Sequence, residues 1–428
     1  MDHLIDRASS RPVTRRQALT LGAALTAGGI AAMGPPSPVS AAVRAQATPV
    51  ATPAADPGEA ILDIVRDAMA QQSLNAVIVR VLVDGQEIVT AALGESMTGV
   101  PATTEMHFRN GAVAIAYMST LLLRLVDRKM IGLDDTIERW LPDIPDADKV
   151  TFRMLANMTS GYPDFVQNAD FIKAFYANPF RQFTGDEQIA YGLSTPRMFA
   201  PGTNWDYAHT NYVIMGRALE HLTGKSLDVL LQEEVLDPLG LSNTVAWSTP
   251  EITQPVLHAF SSERRTFVDI PNGVPFYEET TYWNPSWTLA PGAIQTSNIF
   301  DMAASAVAIG EGTLLTPASY QEMVAPSLIG FGAPLKGCPA CHTLDTAYSF
   351  GLGVVLTGSW IIQTPLFGGY GAVIGYLPAQ KIAIAVAVTF GEESFDDQGS
   401  YKYSSHQLLF RAIGAYLAPD DPPPARGA

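Results

Sequence analysis

Phe108-Arg109-Asn110-Gly111-Ala112-Val113-Ala114-Ile115-Ala116-Tyr117-Met118-Ser119-Thr120, running on through Leu121-Leu122-Leu123-Arg124-Leu125-Val126-Asp127-Arg128-Lys129, is the stretch whose reading decides the fold. Between Gly111 and Val126 the only charged residue is Arg124, and the segment is apolar almost all round. A helix with that pattern is buried in the middle of a large domain, with the other elements built around it. The chain enters it from an extended 106–108 segment through a turn at Gly111.

Outward from this helix, Asp56-Pro57 starts a helix over 58–71, with Ile61, Leu62, Val65 and Met69 on one face. Residues 76–83 and 86–93 flank Asp84-Gly85, a strong hairpin signal. Near the other end, 381–390 reads as a buried strand and 404–417 as an amphipathic closing helix. Strands at both ends with helices between them predict an α+β fold whose antiparallel sheet is assembled from both termini. The sheet lobe is expected over about 57–129 and 288–418, and a mostly helical second lobe over about 130–287.

The first 47 residues read as a targeting signal. Thr14-Arg15-Arg16-Gln17-Ala18-Leu19 resembles a twin-arginine export motif, followed by an apolar run from Ala18 to Met33 that is short for a bilayer span. Val39-Ser40-Ala41 and Ala45-Gln46-Ala47 are alternative cleavage sites, and an uncleaved anchor is the other reading. The expectation is an exported protein with no stable membrane span after cleavage. Residues 48–56 read as a linker and 419–428, with three consecutive prolines, as a disordered tail. The formal charge is -16; removing residues 1–47, which carry +3, gives -16 - 3 = -19. That balance argues against nucleic acid or an anionic membrane surface as partner.

Several segments in order resemble one family: Leu133-Asp134-Asp135-Thr136, Met154-Leu155-Ala156-Asn157-Met158-Thr159-Ser160-Gly161-Tyr162, Pro201-Gly202-Thr203, Asp237-Pro238-Leu239-Gly240-Leu241 and Phe350-Gly351-Leu352-Gly353. With the buried helix, they make the chain similar to the serine β-lactamase, D-alanyl-D-alanine carboxypeptidase (penicillin-binding-protein-like) and esterase family. The resemblance implies a serine at the helix start, a lysine three residues later on the same face, a Tyr-x-Asn motif, and a Lys or His followed by one residue and Gly. It implies no metal or organic cofactor.

The matching positions here carry different chemistry. The serine and lysine positions read Ala112 and Ile115, the second motif reads Tyr207-Ala208-His209, and the third reads Phe367-Gly368-Gly369. Four of the five motif side chains are replaced, and no Ser-x-x-Lys occurs elsewhere. A serine needs a neighbouring base to become a nucleophile, and losing either costs on the order of a millionfold in turnover. Swapping both for apolar groups is the physically consistent change, because a buried lysine without its partner is costly.

The resemblance leaves backbone donors in place for an oxyanion hole, at Ala112 and near Gly371 or Ala372. Tyr207, His209, Trp205, Tyr282, Trp283 and Trp287 are expected either to line a ligand cleft or to serve as core. His209 is a candidate general base, but the sequence names no acid to orient it; the other reading is a structural histidine. Ser119 and Thr120 are substitute nucleophiles only if they escape bonding within their own helix. Cys338-Pro339-Ala340-Cys341-His342 matches covalent c-type haem attachment, while two close cysteines in an exported chain also read as a local disulfide. A metal site there lacks a second ligand cluster in sequence. Gly368-Gly369-Tyr370-Gly371 reads as a close backbone approach along the cleft.

The expectation is therefore a pseudoenzyme that binds a cell-wall peptide, another acyl or small-molecule ligand, or a protein partner. An esterase, peptidase or β-lactamase-like hydrolase working with Tyr207 and His209 is the alternative, and a haem electron-transfer protein the remote one. Ligand identity and oligomeric state are not fixed by the sequence.

Overall fold

The computed structural model describes residues 56–247 and 249–425. The export motif, the linker up to residue 55 and the last three residues lie outside the described residues. Helix α1 (Pro57–Gln72) opens with proline at its first position, and the Asp56 carboxylate accepts from the Gly58 N–H at 3.0 Å. Strands β1 (Leu74–Val83) and β2 (Gln86–Met97) are joined through Asp84 and Gly85, at φ 47° and 75°, which is the left-handed pair a two-residue hairpin needs. Short strands β3 (Val100–Pro101) and β4 (Phe108–Arg109) lead to the buried helix α2 (Val113–Asp127).

The middle of the chain is helical and irregular. It contains α3 (Phe152–Ala156), α4 (Ala169–Ala177), α5 (Gly185–Leu193), α6 (Thr210–Thr223) and α7 (Leu227–Leu231), then the short strands β5 (Val245–Ala246), β6 (Phe260–Ser261), β7 (Glu278–Glu279) and β8 (Gln295–Ser297). The chain returns through α8 (Ile299–Glu311), α9 (Pro317–Val324), β9 (Ser349–Phe350), β10 (Val355–Thr357), β11 (Trp360–Gln363), β12 (Leu366–Phe367), β13 (Tyr370–Leu377) and β14 (Ile382–Phe390), and closes with α10 (Ser405–Leu417).

The fold is α+β. A nine-stranded antiparallel sheet runs β3-β2-β1-β14-β13-β11-β10-β9, with β12 folded back on β13. The two termini meet at its centre, where β1 pairs with β14 from Leu74–Phe390 to Val83–Ile382. Every residue of β13 and β14 is buried, so both faces must be covered. Alternation along β13 shows how: a Cβ at Gly371 or Gly375 would meet His406 or Phe410 of α10, while Tyr376 on the opposite face packs against Gly310 of α8. Helix α2 lies deeper, with twelve of its fifteen residues buried.

One expected boundary is corrected. The described part of the 419–428 tail packs on the body rather than fraying: the Trp360 indole N–H donates to the Asp421 carbonyl at 3.0 Å, and Pro423 lies against Gly414. Burying Trp360 leaves its one donor in need of an acceptor, which the tail backbone supplies. Among the described residues no helix is long and apolar enough to cross a membrane.

Candidate functional site

The start of α2 is fixed by Asn110. Its side-chain amide donates to Gln295 Oε1 at 2.9 Å and its carbonyl oxygen accepts from Gln295 N–H at 3.1 Å, tying the helix entry to β8. Gly111 follows at φ 50°. A Cβ there would lie 2.3 Å from Pro365 Cβ and 2.9 Å from Phe367 Cε1, so the segment carrying the third-motif position is packed directly on the helix start. Ala112 lines a cleft, and Ile115 is fully buried one turn on, outside the cleft lining. Neither alternative hydroxyl is available: Ser119 is fully buried and bonded to Tyr212 Oη at 2.8 Å, and Thr120 donates to the Ala116 carbonyl at 2.9 Å.

The second-motif residues lie on the loop entering α6. Tyr207 and His209 both line the cleft, with ring centroids 5.2 Å apart in an edge arrangement. The acid that the sequence did not reveal is Asp164. Its carboxylate accepts from the His209 backbone N–H at 3.0 Å and meets His209 Nδ1 at 3.1 Å, and its side chain is only 2% exposed. A carboxylate on Nδ1 fixes the imidazole tautomer and turns Nε2 away from it. The pair is formed by residues 45 positions apart, and nothing in periodicity links them.

The third-motif segment departs from expectation. Gly368 and Gly369, at φ 50° and 79°, form the tight turn between β12 and β13, and Gly369 presses against the Phe260 backbone, not along the cleft. The Ala372 N–H is bonded to the Pro365 carbonyl at 2.9 Å, so the Gly371 N–H one step back along β13 points the other way, towards β14, where Gly371 pairs with Val388. A donor aimed at the helix start is therefore not supplied by Gly371 or Ala372. Behind the turn, the Gly369 N–H donates to Tyr401 Oη at 2.9 Å, and Tyr401 donates to Glu263 at 2.9 Å. Burial raises the Glu263 carboxyl above its ordinary value. His406, also fully buried, is pushed down to about 3 by desolvation.

These surfaces enclose a cleft of about 160 Å³. Trp205, Tyr207, His209, Trp287 and residues 362–367 line it, and Gln407 and Arg411 of α10 contribute polar groups. Pro339, Ala340, His342 and Tyr348 close one end from the 336–348 loop. Trp287 meets Phe367 edge-on at 5.3 Å. Trp283 is core instead, packed on Phe175 and Tyr176, and Tyr282 is exposed beside His258, so neither lines the cleft. The sequence could not separate these aromatics, because buried core and cleft wall select the same residue types.

Cys338 and Cys341 form a disulfide, so the haem reading has no free thiols to carry it. A disulfide fits an oxidising, extracytoplasmic setting. Asp206 from the cleft loop lies beside the two sulfurs, with one ligand atom from each residue within 4.8 Å of the others.

Comparison with known proteins agrees with this architecture. The Beta-lactamase family profile matches residues 61–405. The chain is 33% identical over 181 residues to Penicillin-binding protein 4 of Amycolatopsis lactamdurans, covering 39% of this chain and 43% of that protein. It is 22% identical over 352 residues to the D-aminopeptidase of Gluconobacter oxydans (strain 621H), covering 80% of this chain and 59% of that one. The chain thus spans less than two thirds of the length of either relative. In fold it is similar to the D-amino acid amidase of Ochrobactrum anthropi SV3 solved with L-phenylalanine amide, with a TM-score of 0.70 and 21% identity over 86% of this chain and 99% of that one. The profile match covers most of the chain and both lobes around the cleft, and the chain belongs to the Beta-lactamase family.

Proposed function

We propose that this protein holds a peptide, acyl or small-molecule ligand in its cleft without forming an acyl-enzyme. The observation that carries the reading is at the helix start, where Ala112 and Ile115 stand in the serine and lysine positions and Pro365 and Phe367 pack against Gly111. The cleft favours a ligand with an apolar body, seated against Trp205, Trp287 and Tyr348. The relatives' names, a penicillin-binding protein and a D-aminopeptidase, make penicillins and peptides with an amino-terminal D-amino acid the first classes to screen. The twin-arginine-like Thr14–Leu19 segment supports a location outside the cytoplasm.

The Asp164–His209 pair favours a second reading, hydrolysis in which imidazole accepts a proton from water. One experiment separates the two. The natural chain and an Ala112→Ser, Ile115→Lys double variant are incubated with a fluorescent penicillin and a fluorophosphonate, and p-nitrophenyl ester turnover is followed alongside. The binding reading expects no covalent label on the natural chain and no turnover lost on His209→Ala. Label mapping to any residue of the natural chain overturns it, and turnover abolished by His209→Ala without label moves the assignment to the hydrolytic reading.

A further inference from the structure

We propose that Asp206, Cys338 and Cys341 form a binding site for a soft divalent cation of the zinc and cadmium class when the disulfide is reduced. The three residues come from two separate parts of the chain. Their ligand atoms lie within 4.8 Å of one another and all three residues are buried. Two thiolates and a carboxylate, with a fourth position left to water, is a donor set that suits zinc.

The backbone holds this arrangement independently of the sulfur–sulfur bond. The Cys338 N–H donates to the Leu335 carbonyl at 3.0 Å and the Cys341 N–H to the Cys338 carbonyl at 3.3 Å, so the Cys-x-x-Cys turn is closed by its own hydrogen bonds. Asn204 clamps the loop to the segment carrying Asp206: its side-chain oxygen accepts from the Ala333 N–H at 2.8 Å and its amide donates to the Ala333 carbonyl at 3.1 Å. At a zinc–sulfur distance of about 2.3 Å, two thiolates on one tetrahedron stand roughly 3.8 Å apart. With the Cα atoms 5.3 Å apart, side-chain rotation reaches that separation without moving the backbone.

The chemistry balances in two steps. A dithiol reductant gives two electrons and two protons to the disulfide, yielding two thiols and the oxidised dithiol. The cation then displaces both thiol protons to solvent, leaving two thiolates and one carboxylate around a 2+ ion, a net charge of -1. Because Pro339, Ala340 and His342 of this loop wall the cleft, the ion would sit at the cleft's edge.

The test uses the full chain and Co²⁺ as the probe, titrated into oxidised protein and into protein reduced with a phosphine, whose oxidation to the phosphine oxide takes its oxygen from water. Near-ultraviolet circular dichroism reports the fold throughout. The expected result is one equivalent of Co²⁺ giving a thiolate charge-transfer band and tetrahedral visible bands in the reduced protein alone, with two protons released and the bands bleached by Zn²⁺. Cys338→Ser removes the charge-transfer band, and Asp206→Asn weakens binding at least tenfold. Absence of the band in reduced protein, collapse of the fold on reduction, or Co²⁺ binding unchanged by Asp206→Asn overturns the proposal.

Discussion

Ile115→Lys measures whether the position that carries the family's base still accommodates a cation. Ile115 is fully buried, outside the cleft, on a helix whose neighbouring positions are apolar. A lysine in such a site has its pKa lowered by about 3 to 5 units from its ordinary ~10.4. A depressed folded pKa means full stability above the unfolded value, lost as pH falls through it. At pH 7 either limit of the shift gives a cost of about 4 to 5 kcal/mol, since each unit is worth ~1.36 kcal/mol and the drop from the unfolded value to pH 7 caps the larger shift. At pH 10 the penalty shrinks to under about 1 kcal/mol. Ile115→Met is the control for shape, expected to cost less than about 1.5 kcal/mol at both pH values. Urea unfolding of the two variants at pH 7 and pH 10 gives the comparison. Adding Ala112→Ser to Ile115→Lys recovers no more than the ~1 kcal/mol of one hydrogen bond. If Ile115→Lys matches Ile115→Met at pH 7, the pocket retains a polar environment for a base, and the repacked-core explanation of the lost motif fails.

Two further outcomes follow from burial and backbone geometry. His406 keeps a folded pKa of about 3, so its contribution to stability is complete above ~6.5 and lost as pH falls toward 3. Between pH 7.5 and 4.5 that loss is about 2 to 3 kcal/mol, at ~1.36 kcal/mol for each of roughly two units. Denaturant unfolding of His406→Leu is expected to lack that part of the acid sensitivity, and an unchanged pH profile would refute it. Gly353 sits at φ 77°, with its missing Cβ only 2.2 Å from Ser119 Oγ. Gly353→Ala should therefore cost more than about 2 kcal/mol, from left-handed strain together with overpacking; a shift in the urea midpoint equivalent to less than 1 kcal/mol, by that same scale, would show that the loop yields instead.

Much of the sheet was legible because its evidence is local. The Asp84-Gly85 turn, the unbroken apolar run of β14 and the capped start of α1 each specify their own element, and strands at both ends point to one sheet. Order and spacing also grouped Ala112, Tyr207, His209 and Phe367 without knowledge of contacts, and all four line the cleft. What remained hidden is pairing across the chain. Asp164 reaches His209, Asp206 reaches the two cysteines, and Phe367 reaches Gly111 only through the packed fold. Facing was hidden as well: Gly371 and Trp283 belong to the right segments but point away from the cleft, because one step along a strand or one turn of a loop reverses a side chain.

The central pairing of β1 with β14 also governs when the molecule can come into being. Leu74 finds its partner in Phe390, and about three-quarters of the chain lies in the loop between them. Closing a loop of that length carries an entropic cost before any contact repays it. During synthesis, β1 and β2 emerge first and must wait, with an apolar strand edge exposed, until the last strand has left the ribosome. A chain stopped anywhere before Ile382 therefore lacks the middle of its sheet, however much of its cleft has already been made.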